Sequence, residues 1–154
     1  MTTLQARPAV EMLNKVPQIT IAFWIVKIMS TTVGETAADF LSTTLHLGLS
    51  LTSIVMAVLL VVALAVQIRL PRYVPAAYWT SVVLISVVGT LISDNLVDNF
   101  GVTLTMSSTL FAVILAIVFL AWFAKERTLS IHTIFTRRRE LFYWAAILFT
   151  FALG

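Results

Sequence analysis

WIVKIMSTTVGETAAD, residues 24–39, is the stretch on which the reading of the chain turns, because its frame returns further on. Phe23-Trp24 is followed after nine residues by Gly34 and after four more by Asp39; Tyr78-Trp79 stands in the same relation to Gly89 and Asp94. A third copy opens at Tyr143-Trp144 and reaches Gly154, the last residue, before its Asp position. The pattern [FY]-W-x9-G-x4-D is therefore complete twice and begun a third time. Self-similarity of this kind sets an architecture before any single residue does. Each copy lies in an apolar run, and the runs reach the length that crosses a bilayer, so the repeat is one of membrane spans.

Composition agrees. The chain is 60% hydrophobic and 11% charged, with a mean hydropathy of +1.00, whereas a soluble domain carries about 25% charged residues. The lipid bilayer is thus its first partner. The absence of Cys removes disulfides and thiolate metal sites. A net charge of +3 does not indicate a nucleic-acid partner, because the basic residues sort by membrane side.

Five spans are expected in an all-α, polytopic bundle. Residues 1–16 read as a cytoplasmic lead-in able to lie on the membrane surface. Residues 17–73 form a first two-helix repeat, with spans at about 17–41 and 49–68 and Pro17 in the first turn. Residues 74–124 form a second, with spans at about 76–97 and 104–124. Arg69, Pro71, Arg72 and Pro75 end one helix and start the next. Residues 125–140, KERTLSIHTIFTRRRE, make a basic interfacial connection. Residues 141–154 begin a third repeat that is too short to cross, roughly 21 Å long. The expectation is that the chain continues beyond Gly154, with an Asp five positions on and at least one more apolar span, or completes its bundle as a homo-oligomer.

Orientation follows from Lys and Arg alone. Nine of the ten lie before span one, between spans two and three, or between spans four and five; the other is Lys27, inside a span. The positive-inside rule then places the N-terminus in the cytoplasm. The two complete copies become parallel repeats, each pairing one polar with one apolar span.

The odd spans carry the chemistry. Lys27, Thr31, Glu35 and Asp39 recur every four residues, as do Ser86, Thr90, Asp94 and Asp98, so each set lies along one helical face. Charged side chains facing lipid cost at least a few kcal/mol each, so these stripes are expected to turn toward a shared axis. Glu35, Asp39, Asp94 and Asp98 would then converge near the outer face. Thr31, Thr32, Thr36, Ser86, Thr90, Ser93, Asn95 and Asn99 would supply neutral oxygens, a hard-donor set suited to a small divalent cation or a proton. Against this stands a plainer reading, in which the helices end there and the acids are wet at the interface. A carboxylate at a helix C-terminus opposes the macrodipole by a few tenths to about 1 kcal/mol, and both copies place one there.

Gly34, Gly89 and Gly154 have two readings: close approach between helices, or local unwinding that frees carbonyls for a cation. Lys27 has Val82 and Ile147 at its equivalent positions; it either snorkels or pairs with an acid on another helix. His46 and His132 stand in connections without a second ligand at metal spacing. No nucleophile and base pair, phosphate loop or HExxH is present in the sequence. No motif calls for an organic cofactor or supports an enzyme.

The strings KIMSTTVGETAADFL (residues 27–41), VVGTLISDNLVDN (87–99) and ERTLSIHTIFTRRRELFYWAAILFTFALG (126–154) resemble a bacterial multi-pass membrane family built from a repeat of unknown function, the uncharacterised membrane-anchored proteins. The resemblance runs from residue 16 almost to the end and implies an inner-membrane protein whose longer relatives carry four such motifs. It implies no particular activity. Two functions from different classes therefore stand as expectations. The first is a small-cation transporter or exporter using Glu35, Asp39, Asp94 and Asp98. The second is a non-transporting scaffold or interaction subunit whose polar stripes are buried helix–helix contacts.

Overall fold

The computed structural model describes residues 14–153, which form five α-helices without a strand among the described residues. The helices are α1 (Ile21–Asp39), α2 (Leu49–Arg69), α3 (Pro75–Asp94), α4 (Leu104–Glu126) and α5 (Arg137–Leu153). Three are long and apolar enough to cross a membrane: α2, α4, and α3 with its extension to Asn99.

Each helix starts where the sequence supplies a cap or a stop. Thr20 caps α1, its hydroxyl accepting from the Phe23 amide at 3.2 Å, which replaces one of the donors a helix start leaves free. Pro17 therefore lies before the helix and not in its first turn, a correction to the sequence expectation. Pro75 does occupy the first turn of α3. Thr103 caps α4. Arg127, in the left-handed conformation, closes the other end of α4.

The connection after α4 is more structured than its basic composition suggests. A 3-10 turn at Ile131–Thr133 carries the chain past Ile134, which is fully buried, and α5 begins at Arg137, four residues earlier than the apolar run. Three arginines in a first turn oppose the helix dipole. Glu126 offsets them, accepting from Arg139 Nε at 2.7 Å and lying 3.6 Å from Arg138.

The packing order departs from a row of self-contained hairpins. The central helix is α3, which packs against α1, α2 and α5, while α4 packs along α5. Each even helix thus leans on the odd helix of the following unit. The outward faces of α2 and α4 carry Ile54, Val61, Ile117 and Leu120, all more than half exposed. An apolar surface of that extent marks a membrane or partner face. By contrast Tyr78, Ile85, Val87 and Leu91 of α3 are almost fully buried.

Within each complete unit the odd helix ends by widening into a π-helical turn, Phe40–Thr44 after α1 and Asn95–Asn99 after α3. The two are equivalent in the frame, and so are the bonds that close them, Leu45 N–H to Phe40 O at 3.0 Å and Phe100 N–H to Asn95 O at 3.2 Å. The backbone then turns left-handed at equivalent positions, His46 (φ 54°) and Gly101 (φ 67°).

Candidate functional site

The carboxylates lie at the π-turn end of the bundle. Asp39 and Asp94 are the residues from which the π turns start, and Asp98 sits inside the second turn. Glu35, Asp39 and Asp98 are exposed and Asp94 is half-buried. The four acids therefore share one end of the molecule. No group of three or more His, Asp or Glu placed to hold a metal ion occurs among the described residues.

The stripes do not face one another as their spacing suggests. On α1 the buried line is Ser30, Gly34 and Ala38. Thr31, Glu35 and Asp39 are each one residue further along, about 100° round the helix. The expectation that the acidic stripe itself meets α3 is corrected accordingly: small residues make the contact, and the acids flank it. The hydroxyls expected beside the acids are turned back onto their own helix. Thr31, Thr32 and Thr36 donate to the carbonyls of Lys27, Ile28 and Thr32 at 3.1, 3.3 and 2.8 Å.

Gly34 and Gly89 are sites of close approach within unbroken helix. A Cβ on Gly34 would lie 2.5 Å from the Ser86 Cβ, and one on Gly89 would lie 2.8 Å from the Phe151 Cβ and 3.0 Å from the Ala152 N. Side chains there are excluded by the neighbouring helix, as in small-residue membrane crossings. Gly154 lies outside the described residues. Lys27 pairs with no acid among the described residues; its ammonium stands 5.2 Å from the Trp24 ring centroid, a cation–π contact.

The polar groups that are spent inside the bundle join helices. Asn95 Nδ2 donates to Ser53 Oγ of α2 and to the Leu91 carbonyl, both at 2.7 Å, and Asn99 Nδ2 donates to Asn95 Oδ1 at 2.7 Å. These amides edge an open cleft of about 470 Å³ lined also by Ser50, Ile54 and Ile92. Ser86 Oγ reaches the Thr31 carbonyl at 3.4 Å. The Tyr78 and Tyr143 hydroxyls bond each other at 2.5 Å, buried between α3 and α5.

At the opposite end lies a cluster that sequence reasoning missed. Lys15 Nζ donates to Glu140 Oε2 at 2.7 Å and to the Ile68 carbonyl at 2.9 Å, and Gln67 Nε2 donates to Glu140 Oε1 at 3.3 Å. Lys15 is 6% exposed, Glu140 1% and Gln67 0%. The cluster ties the start of α5 and the end of α2 to the segment before α1. Asn14 and Lys15 also bond the backbone of Ile131 and Ile134. Asn14 and Lys15 are thus folded against the bundle; residues 1–13 of the lead-in lie outside the described residues.

A family described as Repeat of Unknown Function (DUF347) matches residues 22–73 and 77–128. Its two copies coincide with the two complete units of the frame. No curated protein and no solved structure matches the chain.

Proposed function

We propose, from the premise that the chain belongs to the Repeat of Unknown Function family DUF347, that it is a multi-pass membrane scaffold or interaction subunit. The observation that carries this reading is where its polar side chains go. The buried Lys15–Glu140–Gln67 cluster, the Asn95–Ser53 bond and the Tyr78–Tyr143 bond each join two elements distant in sequence. A pathway for solute needs polar groups left free along a continuous line, whereas these are consumed in packing. In this reading the bundle sits in a bacterial inner membrane with its N-terminus and the Lys15 cluster on the cytoplasmic side, following the distribution of Lys and Arg. All five helices then belong to the membrane region, with α5 packed against α3 and α4.

The transport reading keeps one observation in its favour, the gathering of four acidic charges at one end of α1 and α3. A natural Cys-free background allows the two to be separated. Single Cys substitutions at Thr31, Glu35, Thr90 and Asp94 are treated with a membrane-impermeant thiol reagent in vesicles. Labelling confined to Glu35 and Asp94 is the scaffold result. Labelling that continues inward to Thr31 and Thr90, together with cation flux that Glu35→Gln or Asp94→Asn abolishes, would replace it with a proton- or metal-coupled transporter.

A further inference from the structure

One end of the bundle carries basic charge that the described residues do not neutralise. The end of α2, the end of α4 and the start of α5 meet there, joined by the bonds of Lys15 to Ile68 and Glu140 and of Arg139 to Glu126. The acids at this end among the described residues are already committed: Glu140 is held by Lys15 and Gln67, and Glu126 accepts from Arg139 at 2.7 Å. Arg69, Arg72, Lys125, Arg127 and Arg137 are exposed and pair with no acid among the described residues. At the opposite end, the connections 40–48 and 95–103 hold no Lys or Arg. The unpaired basic charge is therefore confined to one level of the molecule, at and just past the last turns of α2 and α4, two helices long and apolar enough to cross a membrane.

The connection between α4 and α5 adds apolar side chains at the same level. Ile134 is fully buried and Ile131 packs on the core, whereas Leu129 and Phe135 are exposed between Arg127 and Arg137. The segment is fixed from within: Arg139 Nη1 donates to the Thr133 carbonyl and hydroxyl at 3.0 and 3.1 Å, and Asn14 and Lys15 donate to the Ile131 and Ile134 carbonyls. Outward apolar residues set among unpaired basic ones suit the boundary between headgroups and acyl chains, and a loop held in place beforehand avoids the cost of ordering it on binding. We propose that this surface binds anionic phospholipid headgroups of the adjoining leaflet. Lys125, Arg127 and Arg137 receive the phosphates through charge-assisted hydrogen bonds, while Leu129 and Phe135 rest against the acyl chains. Arg69 and Arg72 extend the same charge along the α2–α3 connection. A free phosphate would satisfy the arginines and leave Leu129 and Phe135 in water; a lipid satisfies both sets. The inference goes beyond the scaffold reading and holds equally for a transporter, since it requires only that the helices lie in a bilayer.

The test titrates the purified full chain in mild detergent with phosphatidylglycerol and, separately, with phosphatidylcholine of the same acyl chains, and counts bound lipid by native mass spectrometry. Phosphatidylglycerol is expected to bind about tenfold or more tightly, since each basic residue at an anionic surface contributes about fivefold, and the ratio is expected to fall as salt rises. Lys125→Gln, Arg127→Gln and Arg137→Gln together are expected to abolish the ratio; these side chains are exposed and make no bond among the described residues. Lys27→Met, which removes a basic charge elsewhere, is expected to keep it. Leu129→Ser with Phe135→Ser is expected to weaken binding of phosphatidylglycerol, and glycerol 3-phosphate, the same phosphate without acyl chains, is expected not to displace it at equal concentration. Equal affinity for the two lipids, an unchanged ratio in the triple variant, unchanged binding in the Leu129 and Phe135 variant, or displacement by glycerol 3-phosphate overturns the proposal. So does a ratio that Lys27→Met lowers as far as the triple variant does, which would make net charge alone the cause. Should the triple variant not fold, Arg69→Gln with Arg72→Gln decides in its place: a lowered ratio supports the proposal and an unchanged one overturns it.

Discussion

Lys15→Met is the substitution with the sharpest predicted cost. The Lys15 ammonium and the Glu140 carboxylate are 2.7 Å apart with side chains 7% and 1% exposed. At an effective dielectric of about 20, their attraction amounts to about 6 kcal/mol, most of it offset by the desolvation of both ions. Removing the lysine leaves that desolvation in place for Glu140, whose remaining partner is Gln67 Nε2 at 3.3 Å. Breaking a buried pair from one side costs about 3–5 kcal/mol, against about 0–1 kcal/mol for an exposed one. Reversible unfolding in mixed micelles, followed by far-UV circular dichroism, is expected to place Lys15→Met about 3–5 kcal/mol below the parent. Glu140→Gln made in the same chain removes the stranded charge, so the double variant is expected to recover most of the loss. A single variant that costs under about 1 kcal/mol, the range of an exposed pair, or a double variant that is the simple sum of two losses, would refute the reasoning.

Gly34→Ala is expected to cost about 1–3 kcal/mol by overpacking and to be partly relieved by Ser86→Gly, since the nearest obstacle is the Ser86 side chain. Gly89→Ala meets the Phe151 Cβ at 2.8 Å and backbone atoms of Phe151 and Ala152 at 3.0 Å, so Phe151→Gly is expected to restore less of the loss than Ser86→Gly does; equal rescue at both sites in a thermal-unfolding comparison would contradict this. Tyr78→Phe leaves the Tyr143 hydroxyl buried and unpaired at a cost of about 1–3 kcal/mol, and adding Tyr143→Phe should return most of it in a double-mutant cycle. His46→Gly, by putting glycine where the equivalent Gly101 already sits at positive φ, is expected to stabilise by about 1 kcal/mol; a loss on chemical unfolding would show that the His46 side chain is held by something the turn geometry does not include.

The helices were legible because long apolar runs and their stops are local signals. Arg69, Pro71 and Pro75 bracket the α2–α3 connection to within a residue or two of where it falls. The faces were less legible. A spacing of four does not say which of two adjacent lines, Ser30–Gly34–Ala38 or Thr31–Glu35–Asp39, meets the neighbour; that depends on how closely backbones approach, and the small residues win. The π turns left no mark in the hydropathy pattern, since they alter bonding by one residue only. The Lys15–Glu140 pair spans 125 positions, beyond any periodicity. One signal for it was present: Glu140 is an acid standing directly after three arginines and before an apolar run, a place where a buried carboxylate needs a basic partner.

Lys27 is the position at which the repeat and the site have to be reconciled. Its equivalents are Val82 and Ile147, and all three line one enclosed void of about 10 Å³, together with Phe23, Tyr78 and Phe151. The void lies where α1, α3 and α5 come together, and the residues around it are mainly apolar and aromatic. A void of this size holds no continuous water column. The Lys27 ammonium is directed to the Trp24 ring, and the acids stand at the far end of α1 and α3. The centre of the bundle is thus lined mainly by apolar and aromatic side chains with Lys27 as the charged residue among them, the arrangement that the scaffold proposal needs and that the Cys-labelling experiment tests.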